Sequence, residues 1–277
     1  MLKYFWLFFF SSLFYISFSH AQTLNRYLGD ESVLYAETKQ VNQFFRRFNC
    51  EEALDGSRYY RGDSLYHDPQ MREKYLEVLF DEQNTSISAS MKKKFIRQVN
   101  NNQKPQYLDF HGGDWFAEVS TDFNYKGKST PVTLFLELEE APVGSKWVFT
   151  NVYFQPFSEI FEAESNEDQG PPFIHPLSHE LDFMNLIKVF RNNNIEKYAQ
   201  KDYQPDYLTL FLYELKKNNL KFIQVNKVKF HFFQIDGWYF ELDDFTRSGY
   251  NRGWLISQMT EIPRGKKDLL LKFIYHQ

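Results

Sequence analysis

The chain has 277 residues, 19% of them aromatic, a formal charge of −4 and a single cysteine. Its longest basic run is Lys92-Lys93-Lys94, which reads as the solvated face of a helix, so the electrostatic footprint that nucleic acid demands is missing. One cysteine, Cys50, excludes an intramolecular disulfide, CxxC redox chemistry and cysteine-based zinc sites, and stability must come from packing of the many aromatic rings.

Residues 1–21 have the grammar of a secretory signal peptide. Lys3 forms a short positive region, Tyr4 to Phe18 is a nearly unbroken apolar run, and Ser19-His20-Ala21 supplies small residues before a cleavage point at Gln22. The run is fifteen residues, short of the roughly 20 that a membrane span needs. The expectation is an exported protein, periplasmic or extracellular, with no membrane span after cleavage.

In the first half, Val33 to Asn49 reads as a helix, because Leu34, Val41, Phe44, Phe45 and Phe48 recur at helical spacing. Residues 50–67 read as loop. Asp68-Pro69 is a helix start, with a carboxylate cap and proline in the first turn, and the helix is expected to reach about Asn84. A third helix begins near Ser88 with Met91, Phe95 and Val99 inward. Strands follow. Gln106 to His111 alternates Leu108 and Phe110 against Asp109 and His111, and Gly112-Gly113 marks a turn. Trp115 to Ser120, then Val132 to Glu139, continue the alternation of a half-buried antiparallel sheet. A strand at Trp147 closes the run.

Residues 158–177, rich in acidic residues and proline, read as a linker between a first domain at 22–157 and a second at 178–277. Ser178 caps a helix with Leu181, Met184, Ile187 and Phe190 on one stripe, and another helix spans Pro205 to Asn218. Strands are predicted at Phe222–Gln234, Trp238–Thr246 and Trp254–Ile262, with a hairpin at Asp236-Gly237. The tail from Asp268 to Tyr275 fits helix and strand equally.

Lys146-Trp147-Val148-Phe149-Thr150-Asn151-Val152 and Gly253-Trp254-Leu255-Ile256-Ser257-Gln258-Met259 match in residue class from the Trp onward. Each closes a run of strands that follows helices. The chain therefore reads as one α+β unit built twice: two domains, each with N-terminal helices packed on a curved antiparallel sheet. Helices followed by a meander that ends in a Trp-hydrophobic-hydrophobic strand resemble the nuclear transport factor 2-like superfamily, over 37–157 and, with a shorter second copy, 178–262. The resemblance implies an α+β cone in each half. It leaves function open, since that superfamily holds isomerases, dehydratases, polyketide cyclases and many non-catalytic binding domains.

Among polar clusters, Asp109, His111 and Asp114 stand out, because alternation puts Asp109 and His111 on one strand face, where a carboxylate could orient a general base. His231 sits among Phe230, Phe232 and Phe233, with Asp236, Tyr239 and Glu241 nearby. His175 and His179 have metal-compatible spacing but no third ligand, so no metal and no cofactor is expected. Phe116, Phe135, Tyr153, Tyr239 and Phe245 fall on nominally outer sheet faces, as a domain interface or a partner surface. Trp115 and Tyr239 could stack on sugars. The leading expectation is a non-enzymatic binding or assembly module of the cell envelope, its partner an envelope protein, a small molecule or a glycan. The alternative is a small-molecule hydrolase or isomerase with His111 and Asp109 in the first cone.

Overall fold

The structure is a computed structural model that describes residues 37–38, 40–53, 55–141, 144–161, 190, 198–200, 203–249, 251–263 and 265–276. The leader and most of the acidic, proline-rich segment lie outside these residues, as does the helix expected from Ser178, apart from Phe190. In chain order come β1 (Glu37–Thr38), α1 (Val41–Asn49), α2 (Pro69–Val78), α3 (Ala89–Val99), β2 (Trp115–Tyr125), β3 (Lys128–Ala141) and β4 (Gly144–Tyr153). Then follow α4 (Gln155–Phe161), α5 (Tyr207–Lys216), β5 (Leu220–Phe232), β6 (Trp238–Phe245), β7 (Arg252–Glu261) and α6 (Lys267–Ile274).

The helix starts follow from their caps. Asp68 Oδ1 accepts from the Met71 N–H at 2.7 Å, Ser88 Oγ from Met91 at 3.2 Å, and Asp206 Oδ1 from Thr209 at 3.1 Å, each satisfying an orphan first-turn donor. Helix α1 is shorter than its apolar spacing predicts. Residues 37–38 instead pair in parallel with Arg252 and Gly253 on β7.

The chain is α+β. Its strands form one seven-stranded sheet, in the order β1-β7-β6-β5-β2-β3-β4. The six longer strands pair antiparallel. Two meanders, β2-β3-β4 and β5-β6-β7, join where β2 and β5 pair from Trp115–Phe232 to Tyr125–Leu220. The expectation of a separate sheet in each half is corrected by this join. Each meander begins with a strand that has one unpaired edge, and each edge satisfies the other's N–H and C=O groups.

The helices cross over. Phe44, Phe45 and Phe48 of α1 and Phe95, Ile96 and Val99 of α3 pack chiefly on Phe230, Phe232, Phe240, Leu242 and Ile256, which are strands of the second half. Phe211 of α5, in the second half, packs with Phe123, Val132, Leu134 and Val152, which are strands of the first. Phe157 of α4 joins that second cluster, so the segment read as linker from residue 158 begins inside a helix. The main core is a ring assembly. Phe232 and Phe240 stack at 4.8 Å, Phe48 lies parallel to Phe240 at 6.2 Å, and Phe95 meets Trp238 edge-on at 5.2 Å. Such pairs contribute about 0.5–1.5 kcal/mol each beyond area burial. A third cluster, on the opposite sheet face, gathers Phe116, Phe135, Phe233 and Tyr239 under Ile274 of α6.

The strand expected at Gln106–His111 is not formed. Side-chain amides satisfy this backbone in place of a neighbouring strand. Asn49 exchanges two hydrogen bonds with Leu108, at 2.9 and 2.8 Å. Gln234 accepts from the Asp109 N–H at 3.0 Å and donates to the carbonyls of Asp109 and Gly113 at 2.7 and 2.8 Å. Among the described residues no helix is long and apolar enough to cross a membrane.

Candidate functional site

Asp109, His111 and Asp114 do not assemble into an acid–base set. Asp109 Oδ1 accepts from the backbone N–H of His111 at 2.9 Å and so closes a turn; it does not orient the ring. The ring's Nδ1 lies 3.0 Å from Ser145 Oγ, in an exposed position. Asp114 takes a positive φ of 65° and pairs with Lys267 of α6. The placement on one strand face fails because the segment is a loop. Asp236, expected near His231, is exposed and pairs with Lys104 at 3.4 Å.

His231 is the centre of the polar arrangement that does form. It points to the α6 side of the sheet, since Phe230 and Phe232 take the other, and it is 2% exposed. Its Nε2 lies 2.9 Å from Glu118 Oε2, its Nδ1 2.7 Å from the Tyr239 hydroxyl, and that hydroxyl donates to Glu241 Oε1 at 2.6 Å. Lys229 Nζ approaches Glu241 Oε2 at 3.4 Å, and Lys227 pairs with Asp243 at 2.8 Å. The registers explain the meeting. Phe116 and Glu241 stand opposite His231, so Glu118 and Tyr239 are its diagonal neighbours on the two flanking strands.

Burial opposes the charge of Glu118, but the hydrogen bond and charge of His231, with Lys229 and His276, outweigh it and hold the carboxyl below its ordinary range. Burial also opposes the Lys229 ammonium, yet Glu241, Glu118 and Asp243 raise its affinity for the proton. Burial first, then the charge of Glu241, pushes the Tyr239 phenol far up, so it stays a donor. Tyr239 and Glu241 are legible near His231 from strand alternation. Glu118 is not, because its approach depends on the β2–β5 join between the halves.

The aromatic residues expected on outer faces, as a domain interface or a partner surface, and the sugar-stacking candidate Trp115 are mostly covered. Trp115 is 4% exposed among Phe45, Phe110 and Phe232, and its indole N–H donates to the Phe110 carbonyl at 3.2 Å. Phe116, Phe135 and Tyr239 are 3%, 0% and 5% exposed, because α6 lies over them. Tyr153 and Phe245 are half-buried. The exposed apolar side chains of the sheet stand instead along edges that no described strand covers. On β4, which pairs only with β3 among the described strands, Trp147 and Phe149 are 40% and 48% exposed. On β5, β6 pairs only with residues 229–232, and Phe222, Ile223 and Val225 beyond that pairing are exposed.

Two buried groups have structural roles. Burial, reinforced by the charge of Asp68, pushes the Cys50 thiol up to about 12, so it is a filler and not a nucleophile. Arg72, fully buried, donates to the carbonyls of Phe48 at 2.9 Å, Val99 at 3.1 Å and Gln106, and its guanidinium lies 4.3 Å from the Tyr107 ring centre. No sequence signal marked it, since an arginine between helical apolar positions reads as surface. Among the described residues no group of three or more His, Cys, Asp or Glu is placed to hold a metal ion, and His175 and His179 lie outside them. No protein family, curated protein or solved structure matched the chain.

Proposed function

We propose that the protein is an exported, non-enzymatic binding or assembly module of the cell envelope, and that it takes an extended segment of a partner protein along the edge of its sheet. One observation carries this reading: among the described residues, the sheet's open edges coincide with its exposed apolar side chains, Trp147 and Phe149 on β4 and Phe222, Ile223 and Val225 on β5. An unpaired edge offers a row of N–H and C=O groups to a partner strand, and flanking apolar side chains add specificity. Edges that stay free are ordinarily guarded by charge or proline. Here the comparable outer edge, on β7, is closed by the chain itself, through β1 and through Leu79 and Asp81, whose backbones bond to Ile256 at 2.8 and 3.0 Å.

The strand order also supports a duplicated α+β unit of the nuclear transport factor 2-like kind. It reads β5-β6-β7 and β2-β3-β4 outward from the join, with the Trp254 and Trp147 strands at corresponding ends.

The test is retention of a partner from envelope extract by the immobilised mature protein, with cross-links mapped by mass spectrometry. The expected result is cross-links to β4 or β5, and loss of the partner in the double variants Trp147→Lys/Phe149→Lys or Phe222→Lys/Val225→Lys. A partner retained equally by both variants, or none retained by the parent, would overturn the reading.

A further inference from the structure

The line of side chains through His231 fixes a proton count. Glu118 to His231, His231 to Tyr239 and Tyr239 to Glu241 are three contacts of 2.9, 2.7 and 2.6 Å, and each requires one hydrogen between its heavy atoms. A neutral imidazole and a phenol supply two. If the ring's single N–H faces Tyr239, a lone pair faces the Glu118 carboxylate. If it faces Glu118, the phenol must donate to the ring, and nothing is left between Tyr239 and Glu241. The third hydrogen therefore belongs to the array. Glu118 is held as a carboxylate and Glu241 faces the Lys229 ammonium, which leaves the ring as its carrier.

The array lies beneath the C-terminal helix. Phe116 stacks on His231 at 4.8 Å, and Tyr275, at the end of α6, leans on Phe116 at 5.2 Å and on Phe135 at 4.7 Å. The charged and titratable groups around the ring are Glu118 from β2, Lys229 from β5, and Tyr239 and Glu241 from β6. The Lys227–Asp243 pair lies beyond them, His276 acts on Glu118 and Glu137 of β3 acts on Tyr275.

We propose that this array is a proton-operated seat for the C-terminal helix: with the ring doubly protonated α6 lies closed on the sheet, and loss of one ring proton to solvent unseats it and uncovers Phe116, Phe135 and Phe233. Glu118 is the member free to move, since its side chain is 20% exposed while His231 is enclosed. Loss of the proton sets lone pair against carboxylate, Glu118 turns to water, and the cation that faced the Phe116 ring is gone. The seat holds while both ring nitrogens carry hydrogen and fails once one hydrogen is lost to solvent.

The experiment is hydrogen exchange of the mature protein from about pH 5 to about pH 9, corrected for the intrinsic pH dependence of amide exchange. The expected result is a fall of about tenfold or more in protection of α6 across that range, with α1 unchanged. In Glu118→Gln the amide N–H donates to the ring's lone pair, a neutral ring completes the line, and α6 protection stays level. Level protection in the parent, an equal fall in Glu118→Gln, or α1 falling together with α6 would each overturn the proposal.

Discussion

Arg72 closes the ends of two helices at once, since the carbonyls it binds belong to the last turns of α1 and α3 and to the loop after α3. No carboxylate is among its hydrogen-bond partners; burial lowers its proton affinity to about 10, and the fork of N–H groups is spent on backbone oxygens. Arg72→Met keeps much of the volume but takes a donor from three carbonyls, of which Val99 keeps another in the Gln106 N–H at 2.9 Å. We expect it to cost roughly 2–5 kcal/mol, read as a lower urea midpoint at unchanged slope, and Arg72→Lys to restore little because a point charge cannot reach all three. A midpoint within error of the parent would show that water replaces the guanidinium. At this scale the sequence was legible where a residue acts through its own neighbours. Asp68 caps as its position announces, and the helix expected near Ser88 begins at that residue. It was opaque where the partner is distant in sequence: Glu118 reaches His231 across 113 positions, and Asn49 reaches Leu108 across 59. The failed pairing of Asp109 with His111 has the same origin, since the amides of Asn49 and Gln234 took the backbone that a strand would have used.

The C-terminal helix shows what decides an element that local pattern leaves open. Its sequence fits helix or strand, and the sheet face beneath settles the choice by offering Phe116, Phe135, Phe233 and Tyr239 to a helical stripe of Leu270, Leu271 and Ile274. Adjacent residues on it should therefore behave in opposite ways. Ile274 is 8% exposed and Phe273 78% exposed. Ile274→Asn should loosen α6 and cost about 2–4 kcal/mol, whereas Phe273→Asn should stay within about 0.5 kcal/mol of the parent. Both are read by urea unfolding, and equal effects would mean that the helix sits in another rotation. The strands were the most legible elements, because one buried face imposes alternation. Their ends slipped, by as much as Ser120 to Tyr125 on β2, where pairing, which alternation does not encode, sets the length. Edge status was not legible either: Trp147 and Trp254 stand in matching segments, yet one strand ends the sheet and the other is covered by β1 and residues 79–81.

Across the whole molecule, the element order was readable and the partnership of elements was not. Helices α1–α3 find their sheet in β5–β7, and α5 finds its sheet in β2–β4. Hydrophobic periodicity says that a helix has an apolar face and nothing about which meander will cover it. The crossing predicts how the chain responds to division. Residues 22–161 alone lack most of the surface that α1–α3 bury, and should be largely unfolded by circular dichroism and near-ultraviolet signal. A chain cut by protease between 162 and 177 should keep its two pieces together through gel filtration, and the two pieces expressed together should recover the parent's spectrum. Independent folding of 22–161 would show that the halves are self-sufficient. The crossing also sets a schedule for synthesis. The rings of α1 and α3 leave the ribosome well over a hundred residues before Phe240 and Ile256, the surfaces that shelter them. High contact order of this kind slows folding and prolongs the life of sticky intermediates. The N-terminal helices therefore wait for most of their shelter until the second meander has been made, and the molecule matures late in synthesis and as one piece.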